Sequence, residues 1–504
     1  MMHDKPLENF LAAADPRALA LGLGAVLALI GTLLGLSLAV LGPLITVILL
    51  MVLAVGLWAL AGLENALWGV IAVIALLPYG TLPFKIVITP TFLDMALAVF
   101  LFLYLMQWMT GERRRLITTP VHPLIVLFIL LAVFSFVAGL RYAGLTSTVL
   151  RRFAELVLSM SLSLVIADML RGVDVLKRLV RVILITGVAA ALLAIALWLI
   201  PSRQTEAILT RLSVIGYPAA GAVQYIESNP ELPERLIGTG VNPNSTGGYL
   251  VMLAALAAPQ LVTQHPLLRR RWLSYLLWLV LLTALVLTFS RGAMLALGAA
   301  LFLIALVRYR RLLVVMALIA ALILVLPWTQ VYVQRMIEGF QGADLATQMR
   351  FGEYLDALKL VQRYPLLGVG FSGTPDIDIY LGVANVYLTI ASNMGLLGLS
   401  VFLMTMAAVF LYGWGARHRT KAIPGLYPIW LGSLAALAGV LANGIFDHYY
   451  FNLEFHHIVT LFWIYVGIAL AASRMGYEAD PAGLTRSEGE GVAAGQPQAV
   501  NPGP

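Results

Sequence analysis

Three arginines in polar segments carry the clearest chemical signal in this sequence. Arg235 is followed by Leu-Ile-Gly, Arg291 stands between a serine and a glycine, and Arg350 lies in a polar stretch of the second half. Guanidinium groups bind phosphate through two parallel hydrogen bonds, and glycine lets backbone amides approach an anion. If the three lie on one face of the molecule, they predict a phosphate site. A single arginine could instead extend towards lipid headgroups.

Chemistry at such a site also needs a group that accepts a proton. Asp447 and His448 are adjacent and could form a carboxylate–imidazole pair, and Asp378 is another carboxylate on the same predicted side. The pair could equally be an interfacial polar cluster beside Tyr449 and Tyr450. The sequence has no HExxH motif, phosphate-binding loop or clustered metal-ligand pattern, so we expect neither a metal nor a cofactor.

Two more groups of residues accompany the arginines. Asn242-Pro243-Asn244 stands where a loop becomes a helix; Asn244 or Ser245 is the predicted N-cap, and a helix N-terminus favours a negative group. Arg151 and Arg152 could extend the cationic surface, or they could simply anchor a helix end.

The composition predicts how these residues are positioned. The 504 residues are 61% hydrophobic and 11% charged, with a mean hydropathy of +0.92, which indicates an all-α integral membrane protein. The absence of cysteine excludes disulfides and thiolate chemistry. The net charge of +7 fits loop charge and anionic membrane lipid, and it does not indicate a nucleic-acid partner.

Apolar runs of membrane-spanning length predict a bundle of about 14 transmembrane helices, with 12 as the fallback. The predicted spans are 18–39, 43–62, 65–80, 91–109, 121–139, 152–170, 177–200, 245–264, 272–289, 291–307, 312–328, 385–413, 425–445 and 456–473.

Basic residues predict the orientation, because short cytoplasmic loops are enriched in Lys and Arg. Clusters occur in every second loop, at 113–115, 171–178, 269–271, 308–311 and 417–421. Both termini are then cytoplasmic, and the three arginines face outward.

The same pattern predicts the organisation of the chain. We expect a cytoplasmic N-terminus at 1–17, transmembrane helices over 18–328 with an outer loop at 201–244, and a long, partly helical periplasmic loop at 329–384. The last transmembrane helices occupy 385–473, and 474–504 is predicted to be a disordered cytoplasmic tail.

At these residues the sequence resembles the O-antigen ligase and O-antigen polymerase superfamily. The resemblance rests on four short motifs in order, within about 235–400. They are Arg235-x-x-Gly238 with Asn242-Pro243-Asn244; Ser290-Arg291-Gly292-Ala293; Arg350-Phe351-Gly352 through Tyr364-Pro365 to Gly370; and Asn385-Val386-Tyr387-Leu388 with Asn393 to Gly398.

The resemblance implies a membrane glycosyltransferase bundle, similar to the GT-C class, in the bacterial inner membrane. Such enzymes transfer a glycan from undecaprenyl diphosphate to a glycan or lipid acceptor on the periplasmic side, without a nucleotide sugar or an essential metal. By position, Arg235 and Arg291 would hold the diphosphate, with Arg350 as a third cation. Asn242, Asn244, Ser290, Asn385 and Tyr387 fall in the matching motifs and would contact substrate.

One position departs from the ligase pattern. The family's ligases usually have a His before the Asn-Val-Tyr tract, proposed as the base that activates the acceptor hydroxyl, and here that position is Ala384. Either His448, Asp447 or Asp378 takes this role, or the protein is a polymerase with a different base, or it is not an ordinary ligase. We favour a polymerase.

A transporter or flippase for lipid-linked glycans or small molecules is the alternative from another class, since many spans with some intramembrane charge suit it too. However, the polar residues are concentrated in the outer loops and few are intramembrane, which favours the transferase.

Overall fold

The chain folds almost entirely into helices. The computed structural model describes residues 16–82, 89–218, 221–342, 345–374 and 383–479; it is 75% helical and has almost no sheet. A short antiparallel ladder pairs Gln224 with Arg235 and Tyr225 with Glu234. This architecture agrees with the predicted all-α class.

The helices and strands follow one another along the chain. The first half contains α1 (Pro16–Leu60), α2 (Leu63–Leu76), α3 (Phe92–Met109), α4 (His122–Gly139), α5 (Ser147–Met169), α6 (Val173–Leu199), α7 (Ser202–Leu212), β1 (Gln224–Tyr225) and β2 (Glu234–Arg235). The second half contains α8 (Pro243–Ala257), α9 (Arg271–Leu287), α10 (Arg291–Val307), α11 (Arg311–Val325), α12 (Gln330–Gln341), α13 (Leu345–Arg363), α14 (Val386–Ala416), α15 (Leu426–Asn443) and α16 (His456–Glu478).

The protein is an integral membrane protein, but the predicted 14 spans are not confirmed. Six described helices are long and apolar enough to cross a membrane: α3, α4, α6, α14, α15 and α16. Each of the remaining predicted spans also contains a helix. However, α2, α9, α10 and α11 have 17 residues or fewer, whereas a span needs about 20. Apolar composition marked these segments without revealing where each helix ends.

Contacts divide the chain into two compact units, 1–69 and 70–504. In the first unit, α1 is interrupted at Gly42, whose φ of 79° breaks the helix just before Pro43. This break coincides with the predicted boundary between the first two spans. Near the end of the unit, the rings of Trp58 and Trp68 lie 6.1 Å apart.

In the second unit, α8, α15 and α16 are buried on nearly every side. α16 packs along α5, and α15 packs against both α10 and α8. Gly432 allows close packing there, since a Cβ at this position would lie 2.7 Å from the carbonyl oxygen of Leu256. Helices that are apolar all round are expected to be buried. The starts of α8 and α10 and the turn after α15 contribute to the site described next.

The segment predicted as a long periplasmic loop contains two helices, α12 and α13, within its described residues. At the C-terminus, α16 continues to Glu478, beyond the predicted last span. The remainder of the predicted tail, 480–504, lies outside the described residues, as do residues 1–15 of the predicted N-terminal segment.

Candidate functional site

The structure brings the three predicted arginines to one cavity of about 490 Å³. Arg235 comes from β2, Arg291 from the start of α10 and Arg350 from α13, and all three are partly buried. The cavity is lined by Gly221, Val223, Gln224, Tyr225, Glu227, Ser228, Arg235, Asn244, Phe289, Ser290, Arg291, Gly292, Arg350 and Asp447. Three guanidinium groups thus share one polar space with a small number of carboxylates.

Arg235 is held by contacts on two sides. Its Nε donates to the carbonyl of Thr288 at 2.9 Å, and an Nη donates to Oδ1 of Asn244. The next residue, Leu236, donates its backbone N–H to the carbonyl of Leu287 at 2.9 Å. These bonds connect β2 to the C-terminal end of α9 and to the first turn of α8, and they hold the guanidinium at the cavity wall.

Two helix N-termini meet at the cavity. Asn242 caps α8 by accepting from the N–H groups of Asn244 and Ser245, so the prediction of Asn244 or Ser245 as the cap is wrong. Pro243 then takes the first helical position, which needs no N–H donor. Ser290 caps α10, with its Oγ accepting from the N–H of Ala293. Both helix dipoles favour an anion at this end.

Small residues allow these two helix ends to approach each other. A Cβ on Gly247 would lie 2.8 Å from Cβ of Ala293 and 3.2 Å from Cβ of Ser290. Any larger residue at Gly247 would therefore separate Asn244 on α8 from Arg291 on α10. The close approach of α8 and α10 at the cavity therefore requires glycine at position 247.

Three residues of the cavity wall have strained backbone conformations. Phe289, Glu227 and Ser228 have φ values of 52°, 55° and 57°, in the left-handed region that residues other than glycine rarely adopt. Each such residue costs on the order of 1–3 kcal/mol, and such strain is concentrated at functional sites. All three of these residues line the same cavity.

Asp447 is the buried carboxylate of the cavity, with only 2% of its surface exposed. Its Oδ1 lies 3.4 Å from Nη2 of Arg350. Burial raises the pKa of Asp447 to about 6, although Arg350 and Arg235 act to lower it. Most molecules therefore hold Asp447 as a carboxylate at neutral pH, and the group is basic enough to accept a proton.

Helix α13 is tied to neighbouring turns just after Arg350. Oε2 of Glu353 accepts the backbone N–H of Ala384 at 3.0 Å. The hydroxyl of Tyr354 lies 3.1 Å from the carbonyl oxygen of Ala384 and 3.2 Å from that of Ile445. The bonds to Ala384 hold α13 against the segment before α14, and the contact of Tyr354 with Ile445 holds it against the turn that carries Asp447.

A second cavity, of about 250 Å³, adjoins the first and is mainly apolar. It shares Arg291, Gly292 and Arg350 with the polar cavity. The rest of its lining is Leu295, Met336, Gly339, Thr347, Phe351, Tyr354, Asn385, Ile445 and Phe446. Two of the three arginines therefore stand at a boundary between a polar and an apolar space.

His448 does not line either cavity. Its ring packs on Tyr449 and Phe455, with centroids 4.8 and 5.9 Å away. Burial lowers the pKa of His448 to about 4, and Arg350 shifts it in the same direction. The imidazole is therefore neutral at physiological pH, and the described geometry favours Asp447 over it as the basic group. Asp378, the third candidate base, lies outside the described residues.

Asn385 and Tyr387 do not line the polar cavity and bond instead to the end of α15 and the turn that follows it. Asn385 caps α14 and donates from Nδ2 to the carbonyl of Ile445 at 2.9 Å, and it lines the apolar cavity. The hydroxyl of Tyr387 donates to the carbonyl of Leu441 at 2.7 Å. Both side chains brace the end of α15. Asn242 likewise acts as a helix cap and does not line the polar cavity.

Arg151 and Arg152 belong to other ion pairs. Arg151 lies 3.1 Å from Asp94 and 2.9 Å from Glu155, and Arg152 lies 3.0 Å from Glu454. Neither lines the cavity of the three arginines. The alternative that they anchor a helix end agrees better with these contacts than an extended cationic surface does.

Sequence reasoning missed the stretch from Gly221 to Ser228, which contributes six of the fourteen residues around the polar cavity. It also missed the roles of Glu353 and Tyr354 in α13. The Gly- and Pro-rich loop before Arg235 was a signal for the first group, but only the strand pairing shows which of its residues face the arginines. No pattern in the sequence distinguishes Glu353 and Tyr354 from the other polar residues of α13.

One comparison with known proteins bears on this site. Residues 275–403 match the family model described as O-antigen ligase, and this match confirms the resemblance predicted from the motifs. The matched region contains Ser290, Arg291, Arg350 and Asn385, whereas Arg235, Asn244 and Asp447 lie outside it. No curated protein matches the chain.

Proposed function

Because residues 275–403 carry the O-antigen ligase domain and so indicate an O-antigen ligase- or polymerase-like membrane enzyme, we propose that this protein transfers a glycan from a polyprenyl diphosphate to an acceptor hydroxyl. The donor is undecaprenyl-diphosphate-linked glycan, and the acceptor is a glycan or a lipid. The reaction takes place on the periplasmic face of the bacterial inner membrane, with both termini in the cytoplasm.

The observation that carries this proposal is the pair of adjoining cavities that share Arg291 and Arg350. A polyprenyl diphosphate has an anionic head and an apolar tail joined at one phosphate. A polar cavity with three guanidinium groups suits the diphosphate. The neighbouring apolar cavity suits the first units of the lipid chain. A soluble nucleotide sugar would have no use for the second cavity.

The proposed reaction assigns a role to each charged group. The acceptor oxygen forms a bond to the anomeric carbon of the donor sugar, and the bond from that carbon to the diphosphate oxygen breaks. Arg235, Arg291 and Arg350 stabilise the negative charge that develops on the departing diphosphate. The proton of the acceptor hydroxyl goes to Asp447, the buried carboxylate of the same cavity. The helix N-termini at Asn244 and Arg291 add positive potential.

We favour a polymerase over a ligase. Ala384 replaces the His that ligases usually have, and its backbone N–H and carbonyl are both bonded to α13. Asp447, from a different part of the chain, supplies a base in the polar cavity instead. In a strain that lacks the gene, a polymerase defect leaves one repeat unit attached to the surface glycan, whereas a ligase defect abolishes attachment; a gel of the surface glycan distinguishes the two.

The arginines test the proposal directly. In purified, lipid-reconstituted protein, Arg235→Ala and Arg291→Ala should each lower transfer by at least about a hundredfold, since each removes a cation from the departing diphosphate. Arg291→Lys should also impair transfer, because a point charge cannot form the paired hydrogen bonds. Arg270→Ala, at an exposed arginine outside both cavities, is the matched control. Near-normal transfer by both Arg235→Ala and Arg291→Ala would refute the proposal.

A further inference from the structure

The wall of the polar cavity divides into two chemically different parts. One part holds Arg235, Arg291 and Arg350, with Asp447 beside Arg350. The other is a single continuous stretch that contributes Gln224, Tyr225, Glu227 and Ser228 beside Gly221 and Val223. This second part carries an amide, a phenol, a carboxylate and a hydroxyl, and no cation. Its carboxylate disfavours phosphate, while its polar groups can donate to and accept from sugar hydroxyls.

Pairing between the two short strands places these parts next to each other. Gln224 on β1 is the direct partner of Arg235 on β2, and Tyr225 is the partner of Glu234. Residues directly opposite each other on antiparallel strands have side chains about 5 Å apart on the same face. Gln224 is therefore the residue of this stretch that stands beside a proposed diphosphate-binding arginine.

Hydrogen bonds on the side away from the cavity hold the two strands in place. The hydroxyl of Tyr225 donates to Oγ of Ser202 at 3.2 Å, and Ser202 in turn donates to Glu234. The indole Nε1 of Trp198 donates to the carbonyl of Glu234 at 3.0 Å. Glu227 and Ser228, both exposed at the cavity, keep the strained conformations described above.

We infer that Gln224, Glu227 and Ser228 form a subsite for the first sugar of the donor, beside the arginines that hold its diphosphate. The amide of Gln224 meets the part of the sugar closest to the phosphate, and Glu227 with Ser228 meets hydroxyls farther out. The subsite rests on the proposed function, since it presupposes a sugar diphosphate in the cavity.

The test compares two ligands on the full-length, reconstituted protein. One is undecaprenyl diphosphate without a sugar, and the other is the same lipid diphosphate with one sugar attached. Gln224→Ala and Glu227→Ala should each weaken binding of the sugar-bearing lipid by about fivefold or more, the value of one hydrogen bond of about 1 kcal/mol. Both variants should bind the sugar-free lipid as the unchanged protein does.

Glu231→Ala is the matched control, because Glu231 is an exposed carboxylate of the same loop that does not line the cavity.

Equal loss of binding for both ligands, or no loss for either, would overturn the subsite. If the unchanged protein binds neither lipid, or if Arg291→Ala binds the sugar-free lipid normally, the diphosphate site itself fails and the subsite fails with it. Normal dependence on Arg291 with no effect of Gln224→Ala and Glu227→Ala refutes the subsite alone.

Discussion

At the level of single residues, the environment of Asp447 is what a general base needs. It is buried, it lines the cavity of the three arginines, and its ion pair with Arg350 is long, at 3.4 Å. A nearby cation keeps the group ionised at neutral pH, while burial keeps it basic. His448, next in the sequence, is turned into an aromatic cluster. Two adjacent residues thus have different environments.

We expect Asp447→Asn to lower the transfer rate by about 10²–10⁴-fold, the usual contribution of a general base. The base must be deprotonated, and the pKa of Asp447 is raised to about 6. The rate should therefore be constant above about pH 7 and fall as the pH decreases through 6. Initial rates between pH 5 and 8 measure this. His448→Asn should keep the pH profile; the opposite outcome for the two variants would assign the role to His448.

We also expect transfer to persist in the presence of a chelator. The guanidinium groups of Arg235, Arg291 and Arg350 can neutralise the diphosphate charge in place of a metal ion. The measurement is the transfer rate with and without EDTA, with MgCl₂ added back as the control. A strict requirement for a divalent cation would contradict the proposed charge stabilisation.

At the level of elements, the site depends on how closely the start of α10 approaches the end of α15. A Cβ on Gly292 would lie 3.0 Å from Oδ1 of Asn443, 3.2 Å from Cβ of Phe446 and 3.3 Å from Oδ2 of Asp447. These contacts are tighter than ordinary packing allows. Glycine at this position lets Arg291 and Asp447 line one cavity.

Gly292→Ala should therefore lower the transfer rate by about tenfold or more, because small displacements of catalytic groups are costly. Gly298→Ala is the control on the same helix, since a Cβ there meets nothing within 4 Å. Transfer rates at matched protein levels, with thermal unfolding as a check on folding, measure the effect. Equal activity of the two variants would show that this contact does not position the site.

The α13 segment makes a second test at this level. Tyr354→Phe removes the hydroxyl that lies within 3.2 Å of the carbonyls of Ala384 and Ile445. We expect kcat to fall with little change in KM, since Arg350 stays in place but is less firmly oriented towards the reacting charge. Tyr364→Phe, at the end of the same segment, is the control. An increase in KM alone would assign Tyr354 to substrate binding.

At the level of the whole molecule, the orientation in the membrane decides which compartment the site faces. The chain contains no cysteine, so single cysteines report location without background. Glu231→Cys should react with a membrane-impermeant maleimide on intact spheroplasts, while Arg270→Cys should react only after permeabilisation. Both residues are exposed. Labelling of Arg270→Cys in intact spheroplasts would show that the orientation is the reverse of the predicted one.

Much of the fold followed from local properties of the sequence. Apolar composition located the apolar helices, because burial or lipid contact is the only stable environment for such segments. The predicted boundary at Gly42–Pro43 coincides with the break in α1. Composition did not yield the span count, because it does not show where a helix ends. Motif order identified the family region around Arg291 and Arg350, which the match at 275–403 confirmed.

The sequence by itself thus predicted an all-α membrane protein and the resemblance of its central region to the O-antigen ligase family, and it singled out the three arginines. Only the tertiary structure decided that Arg235, Arg291, Arg350 and Asp447 line one cavity, that His448 does not, and that Gln224 stands beside Arg235. These residues are up to about 220 positions apart in the chain. Their meeting depends on glycine-mediated helix contacts and strand register, which arise from packing between distant segments and leave no local pattern.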